Sequence, residues 1–318
     1  MGQVYLGDTQ SWHIHLHAAQ TLLPGLEKGC RSSPPPNEPF SVIHKKAYRF
    51  FTGVIAWFDV LAAATTGVKP WAPRMCLDEE EGFIQLEAVI GCENSVILSI
   101  MEVASFDDWK STTQNNSCLN VSELVDRATR IEKGLTDVLD QCSRDVGQLA
   151  TSEQPTWSDQ SEPGPTVWSE EVMKPAFGEA TSRKACTSAI TRIFAYAALV
   201  YLNVVVHGPL AEHPNIHGSV SRAITAFQAL RDRTAWGILA WPSCIVGCMA
   251  TGWQTDFFRD YSLQFEKVSD VKSGNLKRSF LIMEECWRMR KDGKEGKETA
   301  GLDWRDAMES LDMKILLI

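Results

Sequence analysis

From Asn120 the apolar residues Val121, Leu124, Val125, Ala128, Ile131, Leu135, Val138, Leu139 and Cys142 recur at intervals of three and four, the period of one face of an α-helix. Arg127, Arg130, Glu132, Lys133 and Asp137 fall off that stripe, where water keeps their charges hydrated. Asn120, followed three residues later by Glu123, predicts a capping-box start. The same spacing joins Val220, Ile224, Phe227 and Leu230, and again Leu276, Phe280, Met283 and Trp287. Asp303 is placed to cap a short last helix that turns Trp304, Met308 and Leu311 inward. Two stretches, 50–64 and 189–206, are apolar nearly all round, which predicts central helices surrounded by the amphipathic ones. No run alternates with period two and no hairpin dipeptide separates two such runs. The chain therefore reads as all-α, without an internal repeat.

Three stretches interrupt the helical pattern: 29–39 is proline-rich, 151–174 carries Pro155, Pro163 and Pro165 among Ser and Glu, and 291–301 is charged and broken by glycine. All three are expected to be exposed. The middle one reads as a disordered loop that divides a single domain, 1–318, into helical subdomains 1–150 and 175–318. The most apolar run, 193–206, contains Asn203 and is shorter than the roughly 20 residues a bilayer requires. It reads as a buried helix, so no membrane partner is expected. The first residues lack the cationic-then-apolar order of a signal peptide.

Composition narrows the function classes. With 31 Lys+Arg against 40 Asp+Glu the 318-residue chain carries a net charge of −9, which offers no field to draw a phosphate backbone. Direct nucleic-acid contact by this chain is not expected. At 44% hydrophobic and 22% charged residues it lies outside the compositional corner of disordered chains. Its nine cysteines are scattered, odd in number and never spaced C-x-x-C, which reads as reduced thiols in an intracellular compartment.

Several constellations suggest chemistry, and each has an ordinary explanation that weighs more. His13 and His17 stand at i and i+4, but His15 faces away and no third ligand lies at a fixed short spacing. A helix start in which Trp12 and Leu16 pack is the preferred reading. His207, His213 and His217 lie in a stretch broken by Gly208, Pro209 and Pro214, read as a loop that does not preset metal geometry. Asp107 and Asp108 resemble the start of an aspartate-rich metal motif whose third carboxylate is absent, so they read as a helix-terminal acidic pair. Cys244 and Cys248 fall one turn apart if Pro242 starts a helix, and read as core thiols. The motifs of nucleotide-binding loops, nucleophile elbows and zinc proteases are absent from the sequence. No catalytic residue, cofactor or metal is assigned. The unusual excess is eleven Trp; a helical core rich in Trp, Cys and Met can also enclose an apolar ligand. The residues expected to line such a pocket are Trp57, Phe58, Tyr201, Trp241, Cys244, Cys248 and Met249.

A succession of short motifs carries a resemblance. W-x-x-H-L-x-A-A from Trp12, R-F-F-T-G-V-I-A-W-F-D-V-L-A-A from Arg49, G-C-E-N from Gly91, A-L-V-Y-L-N-V-V-V-H-G from Ala198, W-P-S-C-I-V-G-C-M-A from Trp241, E-C-W from Glu285 and D-W-R-D-A-M-E-S-L from Asp303 together resemble the fungal-specific transcription factor domain. This is the C-terminal regulatory domain of many Zn₂Cys₆ binuclear-cluster regulators. The resemblance implies an all-helical nuclear regulator of a secondary-metabolite gene cluster, making contacts with a second copy or a transcriptional partner and responding to an apolar effector. The DNA-binding cluster of such proteins, two C-x-x-C-x₆-C units and a basic linker, is not among these residues. That departure fits a truncated regulator or one acting through a DNA-binding partner. It also fits a domain recruited to bind or cyclise an apolar intermediate, the alternative reading.

Overall fold

A computed structural model describes residues 12–31, 39–71, 90–151, 180–230, 233–268, 274–295 and 301–318. Among them the helices are α1 (Trp12–Arg31), α2 (Pro39–Thr66), α3 (Asn94–Asn115), α4 (Val121–Thr151), α5 (Ala180–His207), α6 (Pro214–Ala229), a 3₁₀ helix (Arg233–Leu239), α7 (Ala240–Cys248), α8 (Trp253–Val268), α9 (Gly274–Glu295) and α10 (Trp304–Ser310). No strand occurs among the described residues, so the chain is all-α. The expected loop at 151–174 lies outside the described residues except for Thr151.

The fold is organised around α5, which packs against α3, α4, α6 and α7. Ile190, Ile193, Phe194, Ala197, Val200 and Tyr201 leave no accessible surface, and each large apolar side chain buried this way contributes about 1.5–3 kcal/mol. Ala195, Ala197 and Ala198, also buried, let neighbouring helices approach closely. By length and composition Lys184–His207 could cross a membrane, a longer apolar stretch than 193–206 alone, but 72% of its most apolar window is buried inside the fold. Residues from both sides of 152–179 share one core.

The α4 stripe is narrower than its sequence suggests. Leu124, Ile131, Leu135, Leu139 and Cys142 are buried while Val121 and Val125 are exposed. Asn120 does cap it, its Oδ1 accepting from the backbone N–H groups of Ser122 at 2.9 Å and Glu123 at 3.3 Å. Glu123, however, pairs with Arg127 at 2.6 Å instead of closing the box. α9 runs to Glu295, five residues into the stretch expected to be a break. Arg288 to Asp292, at 2.6 Å and i+4 spacing, supports that extra turn against the roughly 1 kcal/mol cost of Gly293.

The end of the chain is built in. Ile315, Leu316, Leu317 and Ile318 are buried, Asn275 Nδ2 donates to the Ile318 carbonyl at 3.3 Å, and Trp12 Nε1 donates to the Lys314 carbonyl at 3.0 Å. Trp12 and Leu16 pack against the core while His13, His15 and His17 face out, as the sequence pattern predicts.

Candidate functional site

The seven expected pocket residues are all buried, in three groups. Trp57 and Phe58 adjoin on α2 with ring centroids 5.1 Å apart. Tyr201, on α5, meets Trp304 edge-on at 5.6 Å. Trp241, Cys244 and Cys248 belong to α7 and Met249 follows as its C-cap; Trp241 stacks on Phe194 at 6.0 Å, and the Cys244 and Cys248 sulfurs are 4.0 Å apart. The indole N–H groups of Trp57 and Trp241 are buried without a hydrogen-bond partner. Burial pushes the Cys248 thiol well up, and its bond to Cys244 adds to this, so it is a poor nucleophile near neutral pH.

Beside these groups lies a buried polar clamp whose pairing the sequence reading missed. Asp107 and Asp108 are not at a helix terminus: they stand inside α3, which continues to Asn115. Asp107 Oδ2 accepts from Arg305 Nη2 at 2.6 Å and from the Tyr201 hydroxyl at 2.8 Å. Burial first, then the Asp107 charge, pushes the Tyr201 hydroxyl well up, so it stays a proton donor. Asp303 supplies a full capping box to α10 with Asp306, and Trp304 Nε1 donates to the Thr65 carbonyl at 2.9 Å. The clamp therefore ties α10 to α2, α3 and α5.

The histidine stretch also folds differently from its expected loop. His207 ends α5, His213 is the N-cap of α6, accepting from the Asn215 N–H, and His217 lies within α6. The His207 and His213 rings stack at 4.1 Å. The chain between them forms one wall of a cleft. Among the described residues no group of three or more His, Cys, Asp or Glu is placed to hold a metal ion.

That cleft, about 370 Å³, is walled by Leu210 and Glu212 after α5, by the Ala250–Gly252 turn after α7, and by Trp287, Arg290 and Lys291 of α9. Gly252 adopts the left-handed conformation, φ +54°, which favours glycine where the chain reverses. Gly301 closes one side so tightly that a Cβ there would stand 2.7 Å from the Pro209 carbonyl oxygen. Trp287 Nε1 donates to the Gly247 carbonyl at 2.9 Å, which fixes its ring. Arg290 lies at the base: Nη2 donates to the carbonyls of Cys248 and of Leu302, the latter at 2.9 Å, and contacts Cys286 Sγ at 3.2 Å. Its contact with the Cys248 carbonyl puts two of the seven expected residues, Cys248 and Met249, immediately behind the cleft. None of the seven is in its wall. A second concavity of about 370 Å³ runs between α3 and α4 beside Lys69, Arg127 and Arg130. The sequence signal for the first cleft was slight, because its walls are turns and its cation comes from the polar side of a helix.

The comparisons with known proteins bear on this architecture as a whole. The fungal specific transcription factor domain matches over residues 1–318. The chain belongs to this family. Members similar to it include the trichothecene biosynthesis transcription regulator TRI10 of Fusarium sporotrichioides, 28% identical, with 96% of this chain and 68% of that protein covered. The ustiloxin B cluster transcription factor ustR of Aspergillus flavus is also 28% identical, over 86% of this chain and 43% of its own length. Transcription factor dibT of Pestalotiopsis microspora is 25% identical, over 91% and 48%. The chain thus spans about half the length of several curated relatives in the family. No solved structure matches it.

Proposed function

We propose that the chain is a regulatory domain controlling transcription of a fungal secondary-metabolite gene cluster. The observation that carries this reading is the family match over all 318 residues, joined to relatives whose names tie them to trichothecene and ustiloxin B biosynthesis. It acts in the nucleus through contacts with a DNA-binding partner or a second copy, since its charge of −9 opposes a phosphate backbone. An effector taken up beside the Trp241, Cys244, Cys248 and Met249 group shifts the population of helix arrangements, with as much force as its differential affinity supplies. Deleting the gene and sequencing the transcripts tests this. A coordinated fall or rise across one biosynthetic cluster is expected; unchanged cluster transcripts would overturn the reading. A fluorescent fusion excluded from nuclei would separately overturn the nuclear site of action.

A further inference from the structure

We infer that the cleft beside the last turns of α9 binds a small amphipathic monoanion, an aryl or acyl carboxylate, with its charged end on Arg290 and Lys291. This deepens the effector part of the reading above, and it is tested by binding alone.

Arg290 carries the argument. A guanidinium has five N–H donors. Both donors of Nη2 are engaged by the carbonyls of Cys248 and Leu302, whereas Nη1 has one long contact, 3.5 Å to the Ala250 carbonyl. Among the described residues no carboxylate pairs with this side chain. The Cys248 carbonyl, at the end of α7, brings that helix's partial negative charge of about half an elementary charge, which offsets only part of the guanidinium, so a net cation stays at the base of the cleft with a donor to spare. Lys291 adds a second positive charge on the same wall and Glu212 a negative one. Two cations on one wall suit a carboxylate.

Apart from the hydroxyls of Thr251 and Thr255, the rest of the cleft is mostly apolar. Leu210, Ala250, Leu302 and the fixed indole of Trp287 line it, and about 370 Å³ falls within the range of small-molecule sites. A carboxylate on Nη1 would leave its hydrocarbon body along Leu210 and Trp287. Arg290 also holds the Leu302 carbonyl, next to the Asp303 cap of α10. Occupancy would therefore brace the segment that enters the Asp107–Tyr201–Arg305 clamp.

The test is calorimetric titration of the full chain with naphthalene carboxylate and with the matching neutral carboxamide, which has nearly the same shape. The carboxylate is expected to bind one per chain, at least about tenfold more tightly than the carboxamide, and to weaken as salt is added. Lys291→Gln should remove much of that preference while leaving carboxamide affinity unchanged. Leu210→Trp, at the exposed rim, should obstruct both. Arg290 holds backbone and its replacement can unfold the chain, so these two variants carry the test, with unchanged thermal melts as the control. Equal affinity for both probes, no carboxylate binding at millimolar concentration, or a preference untouched by Lys291→Gln would overturn the inference. Unchanged cluster transcripts on gene deletion would instead sink the regulatory reading and leave the binding result standing.

Discussion

Arg305 shows how one side chain can decide whether the carboxyl-terminal segment stays docked. Its guanidinium meets Asp107, which keeps 8% of its surface accessible, and lies within 3.4 Å of the Tyr201 hydroxyl. Removing one partner of such a pair strands a desolvated charge, so Arg305→Ala should lower unfolding stability by about 3 kcal/mol, read as a lower urea midpoint. Tyr201→Phe removes only a hydrogen bond and should cost roughly 1 kcal/mol. The combined Asp107→Leu, Tyr201→Phe, Arg305→Met chain removes the charges and the hydroxyl together, and should recover most of the loss. A triple variant no more stable than Arg305→Ala would show that the clamp is not held by charge. This pairing was illegible in the sequence because Asp107 and Arg305 are 198 residues apart. Local spacing around Asp107 shows only a short acidic pair beside Lys110, whose ammonium instead reaches the Val205 carbonyl at 2.5 Å.

At the scale of elements, helices were legible where apolar residues keep a 3.6-residue period, as in α4, α6 and α10. Their junctions were not, because turns are set by what packs on them. The α5–α6 junction is the clearest case: Gly208, Pro209 and Pro214 read as a loop, yet they place two imidazoles face to face. Burial first, then the His213 charge and Lys110, holds His207 below the ordinary histidine range, with Glu132 pulling the other way. The unfolded chain then binds more protons than the folded one as pH falls below about 6.5, so stability present above that pH is lost on acidification. Asp303, pushed up mainly by burial, acts in the opposite sense. Thermal melts between about pH 7.5 and 5.5 should therefore show a falling midpoint, and His207→Gln should flatten the dependence. An identical slope in that variant would exclude the stacked pair as its source.

At the scale of the molecule, composition and motif order placed the chain in its family. They could not place the cleft, which exists only because the turns after α5 and α7 meet the polar flank of α9. The cysteines were read from their spacing as reduced, partly buried thiols; Cys92, Cys142, Cys186, Cys244, Cys248 and Cys286 are buried thiols outside any disulfide, and Cys118 is an exposed one. Their distribution equips the protein with its own clock of opening. An alkylating reagent should modify Cys118 at once and the six buried thiols only as fast as the helices that cover them part. Mass-resolved labelling would then separate Cys142 and Cys186, at the α4–α5 contact, from Cys244, Cys248 and Cys286, around Arg290. A carboxylate seated in the cleft should slow the second set and leave the first unchanged.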